Sequence, residues 1–131
     1  MKLPADLSPD KILVVDDNED VATMIETLLK KGGYEVHTAN DGDVAFELLE
    51  EHAQYPENDF DLVITDQEMP NMLGSELIAN IRDDPDFKSL KVILITTLPQ
   101  DDFQDVSFDS FMQKPLDLVL LLGMVRDLLS E

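Results

Sequence analysis

The sequence predicts an α/β fold in which helices cover both faces of a parallel sheet of five strands. Short apolar runs rich in Ile, Val and Leu recur along the chain, as they do in strands buried on both faces of a parallel sheet. Segments with apolar residues at helical spacing separate these runs. Because strand–helix–strand connections are right-handed, this alternation predicts a (βα)5 three-layer sandwich.

The first two strand–helix units have clear boundaries. The apolar run at 11–15 predicts the first strand, and the helix after it covers 18–31. Asn18 or Asp17 can cap the start of this helix, and the glycine pair 32–33 ends it. The second unit consists of a strand at 34–38 and a helix at 42–53.

The remaining units follow a turn at 54–59. Further strands are predicted at 60–65, 91–95 and 109–112, and further helices at 74–83 and 116–130. The segment 98–108 is the exception to the alternation. Pro99 and the aspartates after it leave room for at most two helical turns, so we expect this segment to be irregular or mobile instead of forming a long fourth helix.

The last predicted helix carries more apolar residues than one core-facing stripe needs. Val119, Leu120 and Met124 lie off the main apolar stripe. Two explanations stay open, a wide buried face or a surface for a dimer or another partner. Gly123 in the middle of the helix costs about 1 kcal/mol relative to alanine, which suggests that another backbone packs closely there.

Length and composition are those of one globular domain. The chain has 131 residues and a formal net charge of −20, which disfavours binding to nucleic acid or to anionic membranes. It contains no cysteine, no signal-peptide core and no apolar run of the roughly 18 residues that span a bilayer. We expect a cytoplasmic protein with a flexible N-terminal arm at 1–10 and one domain at 11–131.

Polar side chains follow the predicted strands at the points where they end. Parallel strands bring their carboxyl ends to one edge of the sheet, where ligands bind. Carboxylates, a hydroxyl and an ammonium group there suit a divalent cation and a phosphoryl group. Taken singly, each residue could instead be a helix cap, a turn residue, a strand end or a surface lysine. The residues are Asp16, Asp17, Asp66, Thr96 and Lys114.

Four motifs in this order resemble the response regulator receiver domain of two-component signalling. They are VVDDN (14–18), ITDQEMPNMLG (64–74), ILITT (93–97) and FMQKPL (111–116). The resemblance covers nearly the whole chain, and the Asp-x-x-Met-Pro-x-Met-x-Gly pattern from Asp66 to Gly74 is its most specific part. It implies a flavodoxin-like sheet of strand order 2-1-3-4-5.

The resemblance also implies a role for each site residue. Asp66 would be the phosphoacceptor, supplied by a histidine kinase or a histidine phosphotransfer domain. The implied Mg²⁺ ligands, with Mn²⁺ as a possible substitute, are Asp17, Asp66, the backbone carbonyl of Glu68 and, through water, Asp16. The phosphate would be bound by Thr96, the Thr97 N–H and Lys114. Thr96 and Phe111 would be the switch residues, and Pro115 would follow a cis peptide bond.

The sequence departs from the family pattern at three points, and two alternative functions are considered beside the receiver. The 18 positions from Thr96 to Lys114 are fewer than is usual in the family, and Leu73 replaces a common aspartate. No output domain is seen after helix 116–130, so we expect either a single-domain regulator or a receiver excised from a larger protein. The first alternative function is a receiver-fold interaction module that takes up no phosphate, a pseudo-receiver. The second alternative, a small metal-dependent phosphatase, would need a substrate pocket and usually a cap domain, for which we expect 131 residues to leave no room. As a receiver, the chain would have no enzymatic activity beyond its own phosphorylation and dephosphorylation.

Overall fold

The computed structural model describes residues 9–55 and 59–130. Five parallel strands form one sheet with the order β2-β1-β3-β4-β5. The strands are β1 (Lys11–Val15), β2 (Glu35–Ala39), β3 (Leu62–Asp66), β4 (Lys91–Thr96) and β5 (Ser110–Gln113). The fold class and the strand order predicted from the sequence are therefore confirmed.

Four α-helices within the described ranges cover the two faces of this sheet. They are α1 (Glu19–Lys31), α2 (Gly42–Ala53), α3 (Gly74–Asp83) and α4 (Leu118–Leu129), the last being the helix predicted over 116–130. The side chains of α1 and α4 share one core with the sheet, and those of α2 and α3 share the other. This arrangement is the three-layer sandwich.

The central strands are apolar because both of their faces are covered. Every residue of β1 and β3 is buried. Successive side chains of a strand point to opposite faces, so Ile12 contributes to the core under α1 and α4, and Leu13 contributes to the core under α2 and α3. Burial of such a side chain stabilises the fold by about 1.5–3 kcal/mol.

Element ends differ from the sequence predictions by one or two residues. β3 was expected at 60–65 but begins at Leu62, because the Phe60 ring packs on His52 at 4.7 Å and the Asp61 carboxylate accepts a hydrogen bond from the Lys11 N–H (2.8 Å). At α1, the cap is Asn18, whose side chain accepts hydrogen bonds from the N–H groups of Asp20 and Val21.

The segment between β4 and β5 is short and irregular, as expected. A single 3-10 turn spans Gln100–Phe103, and a loop leads from there to β5. The guanidinium of Arg82 on α3 anchors this loop by donating to the Ser107 carbonyl (2.9 Å), the Leu90 carbonyl (2.7 Å) and the Asp109 carboxylate (2.9 Å). One side chain of α3 thus binds the end of this loop and the residue that precedes β4.

The last helix is only partly covered by the rest of the chain. Leu121 and Val125 are fully buried against the sheet, whereas Val119 is 85% exposed and Leu120 is 52% exposed. In the part of the chain that the structure describes, no helix is long and apolar enough to cross a membrane. Residues 1–8 of the expected arm lie outside the described ranges, so the arm and the domain boundary at 11 stay predictions.

Gly123 has open space around it, so the expectation of close backbone packing was wrong. A Cβ atom at this exposed residue would have no atom within 4 Å, apart from those of the adjoining residues and of its own helix backbone. Glycine in a helix interior is destabilising by about 0.8–1 kcal/mol relative to alanine. We expect Gly123→Ala to raise the free energy of unfolding by about 0.5–1 kcal/mol, measured by urea denaturation. A loss of stability would mean that a close neighbour does exist.

Candidate functional site

Three carboxylates meet at the carboxyl edge of the sheet. Asp16 and Asp17 follow β1, Asp66 ends β3, and these two strands are paired in parallel. One carboxylate oxygen of each residue lies within 4.8 Å of the other two. Asp16 and Asp66 are each 6% exposed, while Asp17 is exposed to solvent. The strand ends therefore concentrate negative charge in a partly buried cluster.

Lys114 brings a positive charge to the same cluster. It follows β5, and its backbone N–H donates to the Thr96 carbonyl at the end of β4 (2.7 Å). Its ammonium nitrogen lies 3.1 Å from Oδ1 of Asp66. Partial burial lowers the pKa of Lys114, but the contact with Asp66 and the charges of Asp66, Asp16 and Glu68 together raise it above its usual value. Lys114 is therefore charged at neutral pH.

Oδ1 of Asp66 is a buried oxygen that receives no hydrogen bond. The Lys114 ammonium forms an ion pair with this oxygen at 3.1 Å. Buried polar atoms of folded proteins nearly always have a partner. An oxygen with unused lone pairs beside two more carboxylates is a suitable ligand for a hard divalent cation, so the residues present fit a Mg²⁺ ion.

The surroundings of Asp16 change the pKa of its carboxyl group. Burial of its carboxyl raises its pKa above the ordinary value, the N–H of Asn18 (2.9 Å) and the charge of Lys114 lower it, and the charges of Asp66 and Asp17 raise it further. The net shift is upward. The metal-free protein therefore holds a proton on Asp16 more strongly than the unfolded chain does.

This shift has a defined effect on stability. An aspartate with a raised pKa stabilises the fold below its unfolded-state pKa, and that contribution is lost as the pH rises through the folded-state pKa. We expect Asp16→Asn to raise the free energy of unfolding of metal-free protein at pH 7, with a smaller gain near pH 4. Urea denaturation with a chelator at both pH values measures this difference. An equal change at both would contradict the electrostatic origin.

Thr96 lies at the end of β4, beside the carboxylate cluster. It is fully buried, and its hydroxyl lies 3.5 Å from Oε1 of Glu68 and accepts a hydrogen bond from the Leu98 N–H (3.2 Å). Glu68 and Thr97 are both exposed, and the Thr97 carbonyl accepts from the Gln113 side chain (3.0 Å). In this structure, the Thr96 hydroxyl is thus directed at a carboxylate.

Two further features implied by the resemblance are the aromatic residue Phe111 and a cis peptide bond before Pro115. The Phe111 ring is half-buried and lies 5.9 Å from the ring centre of Phe103 and 5.5 Å from that of Phe108. The peptide bond between Lys114 and Pro115 is cis. The aromatic cluster connects β5 to the irregular segment after β4.

Sequence reasoning did not identify Gln67 as part of the site. Its buried side chain accepts a hydrogen bond from the Ser75 N–H (2.8 Å) and donates to the Ser75 hydroxyl (3.0 Å). Its backbone carbonyl accepts from the Gly74 N–H (2.9 Å). These bonds close the loop 67–74, which we call the phosphoacceptor loop because it follows the expected phosphoacceptor Asp66. A lone glutamine in a loop gives no signal that could have revealed this role.

Comparison with known proteins assigns the family. The model of the response regulator receiver domain matches residues 12–126. The chain belongs to this family. A receiver domain of known structure, chemotaxis protein CheY4 of Vibrio cholerae, is similar with a TM-score of 0.83 and 29% identity over 92% of this chain and 99% of that one. The predicted resemblance to receiver domains is therefore confirmed.

Two further similar proteins bear on function. Chemotaxis protein CheY-3 of Vibrio cholerae is 39% identical over 87 residues, which are 66% of this receiver and 62% of that protein. The response regulator TrrA of Thermotoga maritima, whose structure was solved in complex with Mg(2+)-BeF, has a TM-score of 0.74 and 30% identity over 92% of this receiver and 99% of TrrA. Less than two thirds of CheY-3 is thus matched.

Proposed function

We propose that this receiver domain takes a phosphoryl group onto Asp66 and, by doing so, changes which partner it binds. The observation that supports it best is the buried Asp66 oxygen without a hydrogen bond, set in a cluster of carboxylates 3.1 Å from a lysine ammonium. A carboxylate can act as a nucleophile towards phosphorus. The chain would serve as a signalling module in a two-component system and would modify no separate substrate.

Mg²⁺ would be held by the carboxylate cluster, and Mn²⁺ could replace it. Asp17, Asp66 and the backbone carbonyl of Glu68 would be direct ligands, and Asp16 would act through a water molecule. Oxygen donors of this kind are those that Mg²⁺ prefers. The bound ion would supply neutralisation of charge on the phosphoryl oxygens. The Mg(2+)-BeF complex of the similar TrrA supports this proposal.

The residues of the chain would act on the phosphoryl group in distinct ways. A carboxylate oxygen of Asp66 would form the new bond to phosphorus as the bond to the donor histidine breaks, and the histidine nitrogen would keep the electron pair. Lys114 would pair with a phosphoryl oxygen, and the Thr97 N–H would donate to one. The Thr96 hydroxyl would turn from Glu68 to the phosphate, and Phe111 would respond with it as the second switch residue.

The partners would be a histidine kinase or a histidine phosphotransfer domain, in the cytoplasm. A second copy or another protein could cover Val119 and Leu120, the two large apolar side chains that α4 exposes to solvent. The net charge of −20 argues against nucleic acid and anionic membranes as partners.

The test is incubation with acetyl phosphate and Mg²⁺ followed by intact-mass measurement within minutes. We expect the mass of one phosphoryl group to be added, and none when a chelator removes the metal. The short segment 98–108 favours one other candidate, the pseudo-receiver. Absence of the adduct at every time point, together with absence of beryllofluoride binding, would favour that candidate. Binding of beryllofluoride without an adduct would indicate fast hydrolysis of the phosphate.

A further inference from the structure

The phosphoacceptor loop is in contact with the first turn of α2. Gly42, the first residue of that helix, is buried against Met72 in the middle of the loop. A Cβ atom at Gly42 would lie 2.7 Å from the Cβ atom of Met72 and 2.8 Å from its sulfur. Such distances are shorter than van der Waals contact, so Met72 occupies space that only glycine leaves free.

A side-chain hydrogen bond joins the same two segments. The Asn71 amide donates to Oδ2 of Asp41 (3.1 Å), while Oδ1 of Asp41 caps α2 by accepting from the Val44 N–H (2.9 Å). Asn71 has a positive φ of 70°, a conformation that asparagine tolerates better than most residues do. The backbone turn at Asn71 thus directs its amide towards the helix cap.

The two ends of the loop are fixed by other elements. Asp66 belongs to β3, and Gly74 begins α3 and donates to the Gln67 carbonyl. Between these ends, the contacts of Asn71 and Met72 with α2 join the loop to a third element. The residues that would carry phosphate and metal, Asp66 and Glu68, lie four to six positions before Met72.

We infer that the first turn of α2, through Gly42 and Asp41, sets the position of the phosphoacceptor loop and is a positioning element for phosphoryl transfer. The second half of this inference rests on the proposed function. Nucleophile and ligand groups must be held close to their productive geometry, and displacement by about 1 Å can slow a reaction by about a hundredfold. Neither Gly42 nor Asp41 needs to touch the phosphate for this effect.

Gly42→Ala tests the inference, because the chain offers a matched control. Gly42→Ala and Gly123→Ala each replace a helical glycine with alanine, which is the better helix former. Only Gly42→Ala introduces a clash, with Met72. For each variant we would record amide NMR spectra without ligand and the rate of phosphoryl uptake from acetyl phosphate and Mg²⁺. We expect Gly42→Ala to shift the signals of residues 67–73 and to slow uptake on the order of tenfold. Gly123→Ala is expected to change neither.

The other outcomes each decide the matter. Unshifted loop signals in a folded Gly42→Ala protein would overturn the inference, and so would shifted signals with an unchanged uptake rate. If the unaltered protein shows neither a phosphoryl adduct nor beryllofluoride binding, the proposed function fails, and the loop signals alone decide whether α2 positions the loop.

A second pair of variants covers the case in which Gly42→Ala does not fold. Asn71→Asp sets two carboxylates against each other, because residue 71 faces Asp41. Adding Asp41→Asn restores the hydrogen bond in the reverse direction, because the new amide at 41 can donate to the new carboxylate at 71. Asparagine at 41 can still cap α2. We expect Asn71→Asp to shift the loop signals and slow uptake, and the double variant to recover both. Equal behaviour of the single and double variants would overturn the inference.

Discussion

Replacing Asp66 with asparagine is expected to abolish phosphoryl uptake, with the rate from acetyl phosphate falling by more than about a hundredfold. The amide has nearly the shape of the carboxylate, so the fold should persist, but its oxygen carries no negative charge with which to attack phosphorus. Loss of that charge would also weaken the proposed metal site. Intact-mass spectra recorded over time measure the result.

Asp101→Asn is the matched control for this experiment. It makes the same chemical change on the exposed 3-10 turn at 100–103, outside the carboxylate cluster, and should leave uptake unchanged. An undiminished adduct in Asp66→Asn would place the phosphate on another residue. It would also remove the reason for assigning the nucleophilic role to the buried oxygen of Asp66.

Gly74→Ala is expected to have the largest effect on stability, a loss of about 3 kcal/mol or more. A Cβ atom at Gly74 would overlap the backbone carbonyl oxygen of Asp66 and would press on the backbone of Gln67. Backbone atoms held in a parallel sheet cannot rotate away as the end of a side chain can. The start of α3 and the end of β3 would have to separate, which would also displace the acceptor carboxylate.

Urea denaturation of Gly74→Ala beside Gly123→Ala measures this cost. Both variants replace a helical glycine with alanine, although Gly74 begins α3 and Gly123 lies inside α4. The propensity gain is at most about 1 kcal/mol, so a larger difference between their free energies of unfolding measures the clash. Similar stabilities for the two variants would show that α3 can shift without loss. The contact between its first residue and Asp66 would then not explain the need for glycine there.

The sequence predicted which residues meet at the edge of the sheet because most of them end or follow a buried apolar run. Asp66 and Thr96 end runs that pack on both faces of the sheet, so their convergence followed from parallel pairing. The expected start of β3 at residue 60 was wrong because Phe60 is apolar yet packs on His52 outside the sheet. An apolar residue identifies burial and does not by itself identify a strand.

The contacts that hold the loops could not be predicted in the same way. Arg82 and Gln67 bind backbone groups that folding brings to them, and neither residue belongs to a periodic pattern. Gly42 and Gly123 are both helical glycines, yet one faces Met72 and the other faces open space. The packing of neighbouring elements distinguishes these two glycines, so their different roles can be seen only in the folded structure.

The dispersal of the site over separate strands has a consequence for partly unfolded forms. Lys114 follows β5, a four-residue strand that pairs with β4 at the edge of the sheet among the described residues. Short edge strands open at lower free energy than central ones. A molecule in which β5 has detached would keep the carboxylates of β1 and β3 but lose its ammonium group. If the proposed function holds, phosphoryl uptake would report on the integrity of the sheet edge, and a ligand that holds β5 in place would favour the competent state.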